Sequence, residues 1–143
     1  MSNTQLWDLA AGKSMTTITQ HKKAVRALVA NPRELSFLSG SADNIKKWQC
    51  RDGKFIRNFE GHSSVINTMA VNEDGVAVSC GDNGSMSFWD YKTGYRYQET
   101  KTIPQPGSLD AEAGIFASAF DLSGSRYPYI PLPLPLSLPD LCP

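Results

Sequence analysis

Apolar residues in this chain come in short runs cut off by Gly, Asn, Asp and Pro. The clearest run is residues 25–30, closed by Asn31-Pro32-Arg33-Glu34. Pro32 has no amide to give a ladder, so those four residues read as a turn. Residues 35–40 then read as a second strand, 45–49 as a third and 55–59 as a fourth. Asp43-Asn44 and Asp52-Gly53 are the turns between them. In the fourth strand the alternation places Phe55, Arg57 and Phe59 on one face and Ile56 and Asn58 on the other. The same four-strand unit recurs over 65–71, 76–80, 85–89 and 95–99, with turns at Asp74-Gly75 and Asp82-Asn83-Gly84. Ahead of the first unit, residues 4–8 and 14–19 supply a third and a fourth strand. Behind the second, residues 114–120 supply an inner strand and 121–125 its turn.

The units repeat on a fixed period. Trp7, Trp48 and Trp89 are spaced 41 residues apart, as are Gly12, Gly53 and Gly94 and the pair His21 and His62. A period of about 40–45 residues, with Gly-His near the start and Trp-Asp near the end, resembles the WD40 repeat. The resemblance implies an all-β fold, a partial WD40 β-propeller of about three blades out of seven. Seven blades at this period take roughly 290 residues, so the chain reads as a fragment of the later blades. Residues 1–126 are expected to form the partial propeller. Residues 127–143, YPYIPLPLPLSLPDLCP, hold six of the nine prolines and one charged side chain. Alternating Pro-Leu lacks alternate ladder donors. This tail is expected to be disordered or polyproline-like and to supply no second strand to the last blade.

Composition narrows the function classes. Fourteen Lys+Arg balance fourteen Asp+Glu, so no global field steers nucleic acid or an anionic membrane to the chain. No stretch of 18 uncharged apolar residues offers a membrane span, and the N-terminus has no signal-peptide pattern. Cys50, Cys80 and Cys142 form no metal or nucleophile spacing and point to a reducing compartment. No metal, cofactor or small-molecule substrate is expected.

His, Ser, Asp and Trp recur together and superficially suggest hydrolytic chemistry. The repeat assigns them a structural task instead. A buried indole NH needs an acceptor, and a histidine both accepts and donates. The expected networks are His21, Ser39, Asp43 and Trp48, then His62, Ser79, Asp82 and Trp89. On the 41-residue period Ser79 is one residue and Asp82 two residues out of step, so the second set is the less regular. Lys22, Lys23 and Arg26 form a basic group beside His21 that is a candidate partner-binding patch. Lys46 and Lys47 form another basic group able to meet phosphate.

Three runs carry a narrower resemblance: HKKAVRALVANPRELSFLSGSADNIKKW, GHSSVINTMAVNEDGVAVSCGDNGSMSFWDYKTGY and QPGSLDAEAGIFASAFD. They resemble the pleiotropic regulator family of WD40 proteins. The stretch 105–121 is the most specific, because a long connection replaces the third Gly-His. The likeness covers residues 4–126 and stops at the tail. It implies a non-catalytic scaffold of pre-mRNA splicing in the nucleus, with spliceosomal and nineteen-complex proteins as partners and indirect association with RNA. It also implies an alternative, a generic WD40 interaction module or a substrate receptor of a cullin ubiquitin ligase, the latter through a Trp-Asp-x-Arg motif. Here Trp89, Asp90 and Lys92 occupy that motif, and Lys92 lacks the bidentate fork of arginine.

Overall fold

The computed structural model describes residues 3–104, 106, 107, 109 and 113–123, and the backbone of 129–131. Among these there are twelve strands and no helix. They are β1 (Thr4–Asp8), β2 (Lys13–Ile18), β3 (Val25–Ala30), β4 (Ser36–Ser41), β5 (Ile45–Gln49), β6 (Phe55–Phe59), β7 (Ile66–Val71), β8 (Val76–Gly81), β9 (Ser85–Asp90), β10 (Arg96–Lys101), β11 (Ile115–Ser118) and β12 (Tyr129–Pro131). They form a β1-β2 pair, two four-stranded sheets, β3-β4-β5-β6 and β7-β8-β9-β10, and a β11-β12 pair. Every pairing is antiparallel. The first strands of successive sheets are neighbours, β3 against β7 and β7 against β11.

The turn from third to fourth strand is built the same way three times. Gly12, Gly53 and Gly94 hold φ of 63°, 66° and 73°, and each amide closes the turn on the carbonyl four residues back. That left-handed backbone is open to glycine and strained for other residues. Crowding adds a second reason at Gly53, where a Cβ would lie 3.1 Å from Leu6 Cδ1 in the preceding sheet.

A bulge also repeats. Register slips in the fourth strand at Met15, Ile56 and Tyr97, which stand between paired neighbours one period apart. All three side chains are exposed. The bulge corrects the expected alternation of β6. Phe55 pairs with Trp48 while Phe59 pairs with Ile45, so the two phenylalanines lie on opposite faces. Phe55 meets Trp48 edge-on at 5.6 Å between ring centroids, and Phe59 packs with Trp89 of the next sheet at 5.8 Å.

The core lies in the seams between sheets. Ile18, Phe37 and Trp48 fill the first seam. Leu38, Ile45, Phe59, Ile66 and Trp89 fill the second. Val78, Cys80 and Ile115 fill the third. Burying a side chain the size of Phe59 is worth about 2–3 kcal/mol, so packing against neighbouring sheets adds to the ladders within each sheet. Trp48 and Trp89 are fully buried against the sheet before them, whereas Trp7 is 56% exposed on the corresponding face of β1.

The absence of a second strand after Arg126 is corrected at three residues. In β12, Tyr129 lies opposite Ser118 and Pro131 opposite Ile115. β12 is an edge strand, a place where a proline without an amide is tolerated. The remainder of the Pro-Leu segment, 132–143, lies outside the described residues.

Candidate functional site

The first histidine network is assembled at one end of the β3–β6 sheet. His21 stands in the segment leading into β3, Ser39 in β4, Asp43 in the β4–β5 turn and Trp48 in β5. His21 Nε2 is 2.6 Å from Ser39 Oγ, and His21 Nδ1 is 3.3 Å from Asp43 Oδ1. Trp48 Nε1 donates to Ser39 Oγ at 2.7 Å. The proton directions follow from chemistry. A carboxylate only accepts, so Nδ1 carries the imidazole proton; Nε2 of the neutral ring then accepts from the Ser39 hydroxyl, which in turn accepts from Trp48. Burial keeps His21 neutral by lowering its pKa, against the opposing pull of Asp43. Burial alone would raise Asp43, but the hydrogen bonds it receives from His21 and from the backbone outweigh it and leave its pKa lowered.

The Ser-His-Asp order has the connectivity of a hydrolytic triad but not its access. Ser39 is 0% exposed and its oxygen already receives the Trp48 NH. A nucleophile must reach a substrate carbonyl, and this hydroxyl is sealed inside the sheet seam. The arrangement satisfies a buried indole and fixes the β4–β5 turn.

The second set is only half assembled. Trp89 Nε1 donates to Ser79 Oγ at 2.9 Å. Ser79 holds the place of Ser39 in the sheet: Ser39 pairs with Leu28 and Lys46, Ser79 with Met69 and Ser87, each one period on. His62 and Asp82 do not join them, which corrects the expected network. His62 Nδ1 is engaged by Ser64, with its carbonyl at 3.2 Å and its hydroxyl at 3.3 Å, and Nε2 is buried without a hydrogen-bond partner. Burial lowers the His62 pKa, partly offset by backbone groups of Ser64 and Ser79. Asp82 instead accepts from Asn67 Nδ2 at 3.4 Å.

The physical cause is turn length. Residues 41–44 separate the paired Gly40 and Ile45, whereas 81–85 separate the paired Cys80 and Met86. The extra residue displaces Asp82 from the place Asp43 holds. Ser41 of the first turn is replaced by Gly81, and a Cβ there would collide with Ser64 Oγ, the group that holds His62 away.

The candidate partner-binding residues divide by exposure. Lys22 and Lys23 are exposed beside His21. Arg26 is exposed and reaches the next sheet, donating to Asn67 Oδ1 at 3.3 Å. Lys46 and Lys47 are buried, which removes them as a phosphate-facing pair. Lys46 Nζ donates to Asn58 Oδ1 at 2.9 Å, and Lys47 Nζ pairs with Glu34 at 3.1 Å. In Trp89-Asp90-Tyr91-Lys92, Trp89 and Tyr91 are buried. Asp90 closes its own turn, accepting the Lys92 amide at 3.1 Å and the Thr93 hydroxyl at 2.8 Å. These bonds, Thr93 first, lower its pKa. Of that motif Lys92 is exposed and Asp90 half-buried. Trp89 is thereby corrected from partner contact to core.

Sequence reasoning missed Tyr91, whose hydroxyl lies 2.6 Å from Ser36 Oγ in the preceding sheet. A signal was available: Lys47 is a charge where the residues one period before and after are Leu6 and Phe88. No group of three or more His, Cys, Asp or Glu able to hold a metal occurs among the described residues.

Comparison with known proteins matches residues 12–48 and 53–90 to the WD domain, G-beta repeat family. Each matched segment opens on the fourth strand of one sheet and closes on the third strand of the next. The chain is 53% identical over 116 residues to protein pleiotropic regulator PRL2 of Arabidopsis thaliana, covering 80% of this chain and 24% of that protein. It is 58% identical over 100 residues to pleiotropic regulator 1 of Homo sapiens, 70% of this chain and 20% of the relative. It is 43% identical over 117 residues to pre-mRNA-splicing factor PRP46 of Candida glabrata, 81% of this chain and 27% of the relative. The chain thus spans between a fifth and about a quarter of the length of these relatives.

Proposed function

The chain belongs to the WD40 family of G-beta repeats, and from that premise we propose that it serves as an interaction scaffold of pre-mRNA splicing in the nucleus. The observation that carries this reading is 43% identity to a protein named as a pre-mRNA-splicing factor, over 81% of the chain. The 58% identity to pleiotropic regulator 1 supports the same assignment. Spliceosomal proteins, among them those of the nineteen complex, are the proposed partners, and association with RNA is through them.

The local chemistry agrees with a scaffold. The triad-like set is sealed, and its hydrogen bonds serve buried Trp48. What the repeats offer outward are turns and linkers, including exposed Lys22, Lys23 and Arg26. The cullin receptor alternative draws on Trp89, Asp90 and Lys92, and the burial of Trp89 and the engagement of Asp90 weigh against it.

Affinity purification of the tagged protein from nuclear extract separates the two. Recovery of splicing factors supports the scaffold reading. Recovery of a cullin and its adaptor, without splicing factors, overturns it in favour of the alternative.

A further inference from the structure

The three sheet seams are not chemically alike. At the first seam Leu6 and Cys50 pack against the Ile18, Phe37 and Trp48 cluster. At the third, Val76 and Phe88 pack against Val78, Cys80 and Ile115. The equivalent positions at the second seam are polar. Lys47 stands one period from both Leu6 and Phe88, Tyr91 one period from Cys50, and Ser36 pairs with Gln49 as Val76 pairs with Asp90. These three, with Glu34, converge on one spot.

Tyr91 follows β9 and belongs to the β7–β10 sheet, where its amide donates to Gly75 O at 3.0 Å. Its side chain packs against the β3–β6 sheet. The hydroxyl lies 2.6 Å from Ser36 Oγ. Lys47 Nζ sits 4.1 Å from the centre of the Tyr91 ring and donates to the Tyr91 carbonyl at 3.3 Å. The same ammonium pairs with Glu34 Oε2 at 3.1 Å, and Ser36 Oγ donates to that oxygen at 3.3 Å. The Lys47 side chain is 7% exposed and Tyr91 1% exposed. A cation over an aromatic face gains when it is shielded from water. Farther along the seam Arg57 donates to Thr93 O and Arg33 pairs with Glu73, again across the two sheets.

Lys47 is buried while the Glu34 carboxylate is 41% exposed at the rim of the seam. A buried charge is a poor source of stability compared with an apolar residue of the same volume, but it penalises any neighbour that leaves it unmatched. The other two seams show that this fold packs at these positions with apolar side chains. We propose that Lys47, Glu34, Ser36 and Tyr91 form a latch that makes the β3–β6 and β7–β10 sheets open and close as one unit, and that selects these two sheets as each other's neighbours. The turns at 31–35 and 72–75, which lie at the latch end of the two sheets, are then held at a fixed separation.

Hydrogen exchange on the full chain, read by mass spectrometry, tests the latch. Tyr91→Phe removes only the hydroxyl. It is expected to raise exchange by about fivefold, the size of one net buried hydrogen bond, both in residues 36–41 and in residues 89–95. Ser36→Ala, which removes the same bond from the other sheet, is expected to raise exchange in the same two segments. Lys92→Ala, exposed beside Tyr91, is expected to change neither. Exchange that rises only in the sheet carrying the substitution, or that is unchanged in both variants, overturns the proposal.

Discussion

Removing the two buried serines, Ser39 and Ser79, separates a complete network from a partial one. Ser39 Oγ accepts the Trp48 indole NH and donates to His21 Nε2, so Ser39→Ala leaves two buried polar atoms without a partner. Ser79 Oγ serves the Trp89 indole, and His62 Nε2 makes no hydrogen bond to it. A buried group left unpaired costs about 1–3 kcal/mol. Ser39→Ala is therefore expected to destabilise by roughly 2–6 kcal/mol and Ser79→Ala by roughly 1–3 kcal/mol, counting one such group for Ser79 and two for Ser39. By the same reasoning His21→Ala costs more than His62→Ala, since only His21 completes a chain from Trp48 to Asp43. Urea unfolding of each variant, followed by tryptophan fluorescence and by circular dichroism, gives the comparison. Midpoints are comparable only where the slopes agree. Equal losses for the two serines, or a larger loss at Ser79, would refute the directional reading of the network.

The two histidines also set a pH dependence. Burial lowers both pKa values below the ordinary 6.5, so under acid conditions the unfolded chain binds more protons than the folded one. Stability should be full above pH 6.5 and fall as pH drops from there through the folded values, by at most about 1.4 kcal/mol per pH unit for each histidine. Urea midpoints between pH 7.5 and 5.5 check this, and His21→Gln should flatten the profile; a midpoint that rises on acidification contradicts it. Gly53→Ala should destabilise by about 1 kcal/mol or more, because its φ is 66° and Leu6 closes the space above it. The same change at Gly12, which has φ 63° and open space around it, should cost less in a thermal melt; the reverse order would contradict the crowding argument.

Much of the fold was legible because it repeats. Trp, Gly and His on one period marked the sheets and their turns, and strand positions followed from apolar runs between Gly, Asn and Pro. The bulges at Met15, Ile56 and Tyr97 were not legible, since strict alternation assumes an unbroken ladder. They put Phe55 and Phe59 on opposite faces. The first network could be read because His21 and Trp48 fall on the period and the WD40 resemblance supplied the places of Ser39 and Asp43 between them. The second failed where one added turn residue moved Asp82 and admitted Ser64 beside Gly81. Lys46-Lys47 read as surface charge because a sequence does not show what covers it. Only the neighbouring sheet supplies Tyr91 to shield Lys47. The strand at 129–131 was hidden by the prolines around it.

The assignment to splicing is tested most directly by sedimentation. Tagged protein added to nuclear extract active in splicing, and run on a glycerol gradient, should migrate with small nuclear RNAs and splicing factors in large assemblies. Migration solely at the position of the free chain, with those RNAs and factors elsewhere in the gradient, would contradict the account.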